Sequence, residues 1–473
     1  MKKKILNILR VFFYVLPILL GIWGFYFVAG ESFLDAIFNT VLMYVLGYGD
    51  HPVNIYVELA RWIAPAVTAS WFVILIYSIR DRLIHFFLFI SGKSIAIYGP
   101  DEEKEPLLHD IKKYVIHGKS DFIPASKYIL LNDEENNFAF FASNKEKLKN
   151  APVYLRSQTL PANAVCDSNL HLFCPEETSS RLFWKKYFLY PVSQLKNHQL
   201  NIVMIGFDKL GEDLLLFGLQ NNIFSPDQKI SYHIFGDGNR FQATHTELAS
   251  IEDDIIFYSA PWYQHLSLIN HADMVIVVTQ ENQVELLREL LFATTREAIH
   301  VFVSNLTRTQ LLSEQNRLQI FDWKAESQKL DYIMNDTLFS RAKRINLRYA
   351  HLYSNVEETE KNKNVEWDAL DTFTRYSNVS AADYHEVRLK MLETLGLSNA
   401  DFLKSEAFEL HSELEHIRWC RYHYLNNWKY GVPANGKNKD KTLRIHKDLI
   451  PYQELTDGEK DKDRENLRIL HSI

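Results

Sequence analysis

The chain has 473 residues, with 52 lysines and arginines against 59 aspartates and glutamates, and a formal net charge of −7. This length predicts roughly three structural units. The acidic balance argues against a nucleic-acid-binding protein, which would need a basic stripe. The three cysteines, Cys166, Cys174 and Cys420, form no Cys-x-x-Cys pair and are interpreted as packing residues in a reducing compartment. Neither they nor the scattered histidines predict a metal site.

Two uncharged runs near the N-terminus predict membrane-spanning helices. Residues 11–30 reach about 30 Å as a helix, the hydrocarbon thickness of a bilayer, and residues 62–79 are of similar reach. The first run is too long for the apolar part of a signal peptide. Basic residues precede the first run and follow the second, which predicts two spans with both termini in the cytoplasm.

The connection between these spans contains a short apolar segment and a glycine-rich turn. Ser32-x-x-Asp35 is a helix-capping pattern, and residues 33–44 then form a helix too short to cross a bilayer. We expect a re-entrant helix that is buried in protein. The sequence Val-Leu-Gly-Tyr-Gly-Asp at 45–50 follows it directly.

The order of span, short helix, Gly-Tyr-Gly-Asp and span resembles the two-span pore module of potassium channels. The resemblance implies a homotetramer in which backbone carbonyls replace the hydration shell of a permeant K⁺ ion. The selectivity filter would be formed by Val45, Leu46, Gly47, Tyr48, Gly49 and Asp50. The family usually has Thr-Val where Val45 and Leu46 stand, so a threonine hydroxyl ligand is missing. The alternative is a membrane anchor with a tight extracellular turn.

Apolar strand candidates alternate with helices over the middle of the chain. The first group lies at 94–99, 127–133, 138–142, 153–157 and 170–174, and the second at 201–205, 231–238, 253–260, 272–280 and 299–305. Such alternation predicts parallel, doubly wound sheets. The second group, with its Ala-Asp-Met-Val-Ile-Val-Val-Thr-Gln segment at 272–280, resembles the regulator-of-potassium-conductance domain. The resemblance implies two Rossmann-like lobes that gate a channel.

A dinucleotide site in the second lobe would use the turn from Gly206 to Gly211. The fingerprint for such a site is Gly-x-Gly-x-x-Gly, in which the middle glycine lets the backbone approach the pyrophosphate. Asp208 stands at that position and would repel phosphate. We therefore expect structural lobes without a tightly bound cofactor. The alternative is a nucleotide site in which Gly206 and Gly211 form the turn and Asp237 binds a ribose.

The last third is predicted to be helical, with a charged loop at 355–367 and a basic loop after Gly431. Its spaced motifs, Glu415-His416-x-Arg418-Trp419, Trp428-x-Tyr430-Gly431 and Leu449-Ile450-Pro451-Tyr452, resemble the ryanodine-receptor-type repeat domain. The resemblance implies the sensing of a nucleotide-like ligand, and bacterial relatives of this type imply stress or antiviral signalling.

Aromatic residues could stack a base and cationic residues could bind phosphates. The candidate ligand-binding residues are Arg418, Trp419, Arg421, Trp428, Tyr430, Lys441, Arg444, Tyr452 and Arg464. The alternative is that the aromatic residues are core residues and the charges are solvated.

Together these patterns predict a multidomain fold class: an α-helical two-span membrane pore module (1–92), tandem α/β Rossmann-like parallel-sheet lobes (93–197 and 198–310), a helical connector (311–365) and a small, mainly α C-terminal domain (366–473). The predicted function is that of a ligand-gated, potassium-channel-like channel of a bacterial inner membrane. The expected partners are lipid, monovalent cations and a nucleotide-derived small molecule, but no nucleic acid.

Other functions stay open. A non-conducting, membrane-anchored sensor could act by assembly or membrane disruption. A nucleotide-processing enzyme on a tether is a third hypothesis, although no catalytic constellation of residues is recognised and no enzyme is expected.

Overall fold

The computed structural model describes residues 14–47, 54–111, 115–118, 121–161, 169–304, 312, 315–434 and 436–472. The chain divides into two compact units, Met1–Ser94 and Ile95–Ile473. Each unit has its own hydrophobic core.

The described part of the first unit is helical. Its helices are α1 (Tyr14–Val28), α2 (Phe33–Tyr44) and α3 (Ile55–Ile90). α2 begins after Ser32, whose hydroxyl accepts the Asp35 N–H at 3.2 Å, as the capping pattern predicts. α3 begins after Asn54, whose side-chain oxygen accepts two N–H groups of the first turn, and Pro65 lies inside the helix without ending it.

Glycines allow α1 to pack closely against the other two helices. A Cβ atom on Gly21 would lie 2.6 Å from the side chain of Thr40 in α2, and one on Gly24 would lie 2.6 Å from Val57 in α3. Asn54 also donates a hydrogen bond from Nδ2 to the Gly24 carbonyl at 3.0 Å. Small residues at such crossings are typical of helix pairs in membranes.

The C-terminal end of α2 is closed by a compact cap. The N–H groups of Leu46 and Gly47 donate to the carbonyls of Met43 and Leu42 at 3.4 and 3.0 Å, and Leu46 has a left-handed φ of 57°. This hydrogen-bond pattern is a Schellman motif, with leucine at a position that favours glycine. The described part of the predicted filter, Val45–Gly47, is therefore a helix cap. Tyr48, Gly49 and Asp50 lie outside the described residues.

One helix among the described residues is long and apolar enough to cross a membrane. It runs from Ile55 to Tyr77 within α3, with a mean hydropathy of 1.7, and 18% of its most apolar window is buried. The second predicted span, 62–79, lies almost entirely within this stretch. The first predicted span, 11–30, falls partly outside the described residues, and Tyr14–Val28 is shorter than a bilayer requires.

The second unit begins with a five-stranded parallel sheet. Its strands are β1 (Ile95–Tyr98), β2 (Val115–Gly118), β3 (Lys127–Leu130), β4 (Val153–Arg156) and β5 (Leu170–Phe173). They lie in the order β2-β1-β3-β4-β5, with α4 (Asp101–Ile111), α5 (Glu134–Ser143) and α6 (Lys145–Leu148) between them. This is the flavodoxin-like strand order of a doubly wound sheet.

A six-stranded parallel sheet follows, after α7 (Pro175–Lys186) and α8 (Tyr190–Leu195). Its strands are β6 (Gln199–Ile205), β7 (Lys229–Phe235), β8 (Asp254–Tyr258), β9 (Met274–Val277), β10 (Ile299–Val303) and β11 (Leu318–Asp322), and its helices are α9 (Lys209–Asn221), α10 (Asn239–Thr244), α11 (Leu266–His271) and α12 (Gln283–Ala293). The order β11-β10-β9-β6-β7-β8 is that of the dinucleotide-binding fold. The prediction of two Rossmann-like parallel-sheet regions is thus confirmed.

Three local predictions were wrong. Residues 138–142 form part of α5 rather than a strand, because Asp133 caps a helix there and Asn137 and Phe141 are buried one helical turn apart. β11 lies where helix was predicted, and it extends the second sheet by pairing in parallel with β10. The predicted loop at 355–367 contains a helix that begins after Thr359, whose hydroxyl accepts the Asn362 N–H.

The rest of the second unit is mainly helical. The helices are α13 (Trp323–Ser327), α14 (Leu330–Ile333), α15 (Ser340–Ser354), α16 (Glu360–Asp368), α17 (Thr372–Thr394), α18 (Asn399–Phe402), α19 (Ala407–Leu425) and α20 (Asp457–His471). Between α19 and α20 lies a small sheet of β12 (Lys429–Tyr430), β13 (Lys439–Asp440) and β14 (Ile445–His446), in the order β12-β14-β13.

These helices share one core with the second sheet. Tyr384 and Met391 of α17 and Leu414 of α19 belong to the same buried cluster as Leu214 of α9. The Tyr384 hydroxyl donates to the Ile223 carbonyl at 2.9 Å. The C-terminal helices are therefore packed against the second lobe, and a cleft is left between them.

Candidate ligand cleft

A cleft of about 630 Å³ lies where the two lobes and the C-terminal helices meet. The first lobe contributes the segment 158–161, the second contributes α9, and the C-terminal region contributes the start of α17, the end of α19 and the loop after β13. Clefts of this size at the junction of several structural regions are the usual sites of small ligands.

Aromatic side chains form one wall of the cleft. The rings of Phe373 and Trp428 are stacked with centroids 5.2 Å apart, and Phe373 lies 5.1 Å from Tyr422. The Tyr422 hydroxyl donates to the Phe373 carbonyl at 2.6 Å, which holds the start of α17 against the end of α19. Trp428 and Tyr422 are buried, so the partly exposed Phe373 is the ring that can stack against a planar ligand.

Cationic side chains form the rim. Lys441 is 62% exposed and donates to Asp371 at 2.8 Å, while Arg444 donates to the Asn426 carbonyl at 3.3 Å. The bond from Lys441 lowers the pKa of Asp371 to about 2, so the pair is ionised at neutral pH. Because Lys441 and Arg444 are exposed, a ligand phosphate could replace these contacts with little desolvation.

The floor of the cleft is acidic and buried. Lys209 and Asp213 of α9 form an ion pair at 2.6 Å, and burial raises the pKa of Asp213 to about 7. The Tyr376 hydroxyl donates to Glu177 Oε2 at 2.9 Å, and burial raises the pKa of Glu177. The cleft thus changes from cationic at its rim to rich in hydrogen-bond acceptors at its floor.

No family model, curated protein or solved structure matches this chain.

The candidate ligand-binding residues are divided among several places. Trp428, Lys441 and Arg444 line the cleft, and Trp419 lines a separate cavity of about 280 Å³ in the C-terminal region. Tyr430 is exposed on β12. Tyr452 and Arg464 both donate to Glu409, at 3.0 and 2.6 Å, and lie away from the cleft.

Arg418 and Arg421 differ most from the expectation. Both are fully buried in α19 and are paired with carboxylates of the protein. Arg418 binds Glu415 at 2.8 Å, and Glu415 binds Arg388 as well, whereas Arg421 binds Asp253 of the second lobe at 2.7 Å. α19 is enclosed by other elements, so its arginines balance internal charges and do not face a ligand.

The smaller cavity is built around His416. His416 Nδ1 lies 3.1 Å from Asp463 Oδ2, and Nε2 lies 2.9 Å from the Ile450 carbonyl. Burial alone would lower the pKa of His416, but hydrogen bonds to Asp463 and Cys420 raise it to about 11. With both ring nitrogens engaged as donors, this histidine is a structural cation rather than a base.

Sequence reasoning missed the floor of the cleft. Lys209 and Asp213 are an i,i+4 pair of opposite charge at the start of a largely apolar helix, a signal that could have been noticed. Phe373 and Tyr376 carried no such signal, because only the packing of α17 against α19 and α7 brings them to the cleft.

In the second lobe, the Asp208 carboxylate lies at the helix end where the pyrophosphate of a dinucleotide would bind. Asp208 caps α9 by accepting the N–H groups of Leu210 and Gly211, both at 3.1 Å. A pyrophosphate at this helix N-terminus would meet the Asp208 carboxylate. Asp237 is exposed and accepts the Asn239 N–H at 3.0 Å. The ribose-binding role of Asp237 stays a prediction.

In the first lobe, the corresponding turn and helix start are also filled by groups of the protein. Gly99 follows β1, and a Cβ atom there would lie 2.7 Å from Cβ of Leu131 at the end of β3. Glu103 in the first turn of α4 is bound by Arg156 and Lys324, at 3.3 and 2.5 Å. Over the described ranges, no cluster of three or more His, Cys, Asp and Glu side chains could hold a metal ion.

Gly206 allows the turn after β6 to approach the backbone of Thr279 closely. Its φ is +101°, and an added Cβ would lie 2.6 Å from the backbone nitrogen of Thr279. We expect Gly206→Ala to destabilise the protein by about 1–3 kcal/mol, because the new methyl group meets backbone in a conformation that L residues rarely adopt. The thermal unfolding midpoint of the purified protein measures the effect.

Gly458→Ala is the matched control. Gly458 lies in the first turn of α20, and a Cβ there meets nothing within 4 Å. The control should be neutral or slightly stabilising. Equal midpoints for the two variants would contradict the role given to Gly206.

Proposed function

We propose that this protein is a ligand-gated, potassium-channel-like ion channel of a bacterial inner membrane, controlled by a nucleotide-like molecule that binds the cytoplasmic cleft. The proposal takes the channel to be a homotetramer of two-span subunits with cytoplasmic termini and to act as a stress or antiviral effector. The observation that carries it is the cleft, in which stacked aromatic rings adjoin an exposed pair of cations.

The chemistry of the cleft fits a nucleotide. A base can stack against Phe373, which the buried Trp428 supports from behind, and a phosphate can reach Lys441 and Arg444 at the rim. Stacking and charge-assisted hydrogen bonds are the two main contributions to nucleotide binding that do not depend on sequence. Asp371 is the competing anion for Lys441, and it is displaced at low cost because this pair is exposed.

Helix α3 supports the membrane part of the proposal. Its side chains between Trp62 and Tyr77 are largely apolar and exposed, with Trp62 at 76%. Such a surface needs lipid or other subunits to cover it. α2 spans only about 18 Å, and its last residue, Tyr44, is hydrogen-bonded to Tyr14 of α1 and Thr68 of α3, which fits a helix buried within the protein.

The chain passes directly from membrane module to sensor. α3 ends at Ile90 and β1 begins at Ile95, so four residues connect the two. A rearrangement of the first lobe on ligand binding would act on α3 through this connection. The ligand must bind the open and closed states with different affinity, since equal affinity shifts no equilibrium.

Ion flux from proteoliposomes tests the proposal. We expect K⁺ release, measured against Na⁺, to change on addition of nucleoside monophosphates, cyclic nucleotides or cyclic dinucleotides. Lys441→Glu should raise the half-maximal nucleotide concentration about tenfold or more, because it places a negative charge beside the phosphate. Lys429→Glu is the matched control: Lys429 is an exposed lysine on β12 that does not line the cleft.

Absence of any nucleotide response across this panel would count against ligand gating. A response that Lys441→Glu and Lys429→Glu alter equally would place the ligand elsewhere.

The second candidate is a non-conducting, membrane-anchored sensor. The observation that favours it is the cap at Leu46 and Gly47, together with Val45 in place of the usual threonine. Gly47→Ala separates the two functions. A Cβ at Gly47 meets only the flexible Leu42 side chain closer than 3.4 Å, so the fold should accept it. If the protein is a pore, Gly47→Ala should abolish ion flux from proteoliposomes. If it is a non-conducting anchor, no flux is present to lose, and nucleotide binding should be unchanged.

A further inference from the structure

Asp213 has an unsatisfied oxygen at the floor of the cleft. It is 4% exposed, and its Oδ1 accepts a hydrogen bond from Lys209 at 2.6 Å. Its Oδ2 is buried and has no hydrogen-bond partner among the residues that the structure describes. Buried polar atoms are satisfied in most proteins, and an exception points to a strained or functional position.

The charged and titratable groups around Asp213 come from two elements. Lys209 and Glu212 lie on α9 itself, and Cys174, Glu176 and Glu177 lie at the start of α7, which packs against α9. Four of these five groups are acids or a thiol, so the floor offers acceptors and disfavours a phosphate. The cationic rim at Lys441 and Arg444 offers the opposite chemistry.

The difference in charge between the rim and the floor would orient a ligand within the cleft. A nucleotide that places its phosphate at the rim would direct its base towards the floor. There, once a small side-chain movement uncovers Asp213 Oδ2, an N–H group of the base would meet an acceptor that is already desolvated. Such a hydrogen bond needs little further desolvation of the protein, because the Asp213 carboxylate is already removed from water in the folded state.

We propose that Asp213 Oδ2 accepts a hydrogen bond from the exocyclic amino group of the ligand's base, so that the cleft selects amino-bearing nucleotides. This inference rests on the proposed function, because it assumes a nucleotide-like ligand. Lys209 is a positioning residue, since its bond to Oδ1 holds the carboxylate with Oδ2 turned away from it.

Matched pairs of nucleotides test the selection. Adenosine 5′-monophosphate is compared with purine riboside 5′-monophosphate, and guanosine 5′-monophosphate with inosine 5′-monophosphate. Within each pair the two differ only by one amino group. Binding is measured by calorimetry on the full chain in detergent at pH 8. We expect the amino-bearing member of at least one pair to bind at least tenfold more tightly.

Two variants of Asp213 decide whether this residue carries the preference. Asp213→Leu keeps the approximate shape but has no acceptor, and it should abolish the preference. Asp213→Asn keeps a weaker acceptor and should reduce it. A cooperative thermal transition at pH 8, with a midpoint close to that of the wild type, shows that both variants fold. Asp227→Asn, at an exposed turn of the same lobe, is the control and should change neither quantity.

The pH dependence gives an independent readout. Burial raises the pKa of Asp213 to about 7, so the carboxylate is protonated as the pH falls below that value. The ratio of affinities within a pair should therefore fall between pH 8 and pH 6. A purely structural role for Asp213 would change both affinities together and leave their ratio constant.

The outcomes separate this inference from the proposed function. Equal binding within both pairs, or a preference that survives in Asp213→Leu, overturns the inference and leaves nucleotide sensing intact. No binding by any of the four nucleotides at millimolar concentration overturns both.

Discussion

Replacement of Glu415 by glutamine is expected to destabilise the protein by about 3–5 kcal/mol. Glu415 is completely buried and binds Arg388 through Oε2 at 2.7 Å and Arg418 through Oε1 at 2.8 Å. Burial alone would raise its pKa, but Arg418 and Arg388 lower it below the usual value. Glutamine has the same shape and no charge, so two guanidinium groups would stay buried without an anion.

The sign of the pH effect follows from the lowered pKa. A carboxylate with a depressed pKa stabilises the fold above its unfolded pKa, and this contribution is lost as the pH falls through the folded value. The wild-type protein should therefore lose stability in acid, and Glu415→Gln should be less sensitive to acid because the group is already absent.

The thermal midpoint of the full chain in detergent measures the effect. A loss of this size should lower the midpoint by about 4–6 °C in a unit as long as Ile95–Ile473. Glu409→Gln is the control on the same helix: Glu409 is exposed and bound by Arg464, and an exposed pair contributes at most about 1 kcal/mol. Similar midpoints for the two variants would show that the buried triad contributes little.

Asp253→Asn should give the second large effect, a loss of about 3 kcal/mol. Asp253 accepts hydrogen bonds from Arg421 at 2.7 Å and from the Ile230 N–H at 3.0 Å. The first bond joins the second lobe to α19. The neutral amide would leave the buried Arg421 with the Leu219 carbonyl at 3.1 Å and the more distant, mostly exposed Glu252 at 3.7 Å. The result should be looser packing of the C-terminal helices on the lobe.

The neighbouring residue provides the control. Asp254 forms an exposed pair with Lys229 at 2.8 Å, so Asp254→Asn should cost less than about 1 kcal/mol. In the double variant Asp253→Asn with Arg421→Leu, much of the lost stability should return, since no unpaired charge is left inside. Additive losses in the double variant would contradict direct coupling of the two residues.

The sheets were predictable because their strands are short, continuous apolar runs bounded by turns. The run that ends in Ile202–Ile205 is buried on both faces and is followed by a glycine turn and a helix, a local signal for a parallel sheet. The strand predicted at 138–142 was wrong because its aromatic residues suggested a strand, whereas the Asp133 cap and the four-residue spacing of burial determine a helix.

The candidate site was predictable only in part. Lys441, Arg444 and Trp428 belong to a loop and strand region whose composition indicated binding, and the structure brings them to one cleft. Arg418 and Arg421 looked equally suitable, but the partner of Arg421 is 168 residues away in the chain. No local pattern reveals such a pairing, because tertiary packing decides which charges are neutralised internally.

The Asp208 cap on α9 has a consequence for anion binding at this end of the lobe. In lobes of this topology the same helix end commonly holds the pyrophosphate of a dinucleotide. Here the chain supplies that negative charge from its own sequence, so the helix dipole and its first N–H groups are already satisfied and an external phosphate would gain little by binding there.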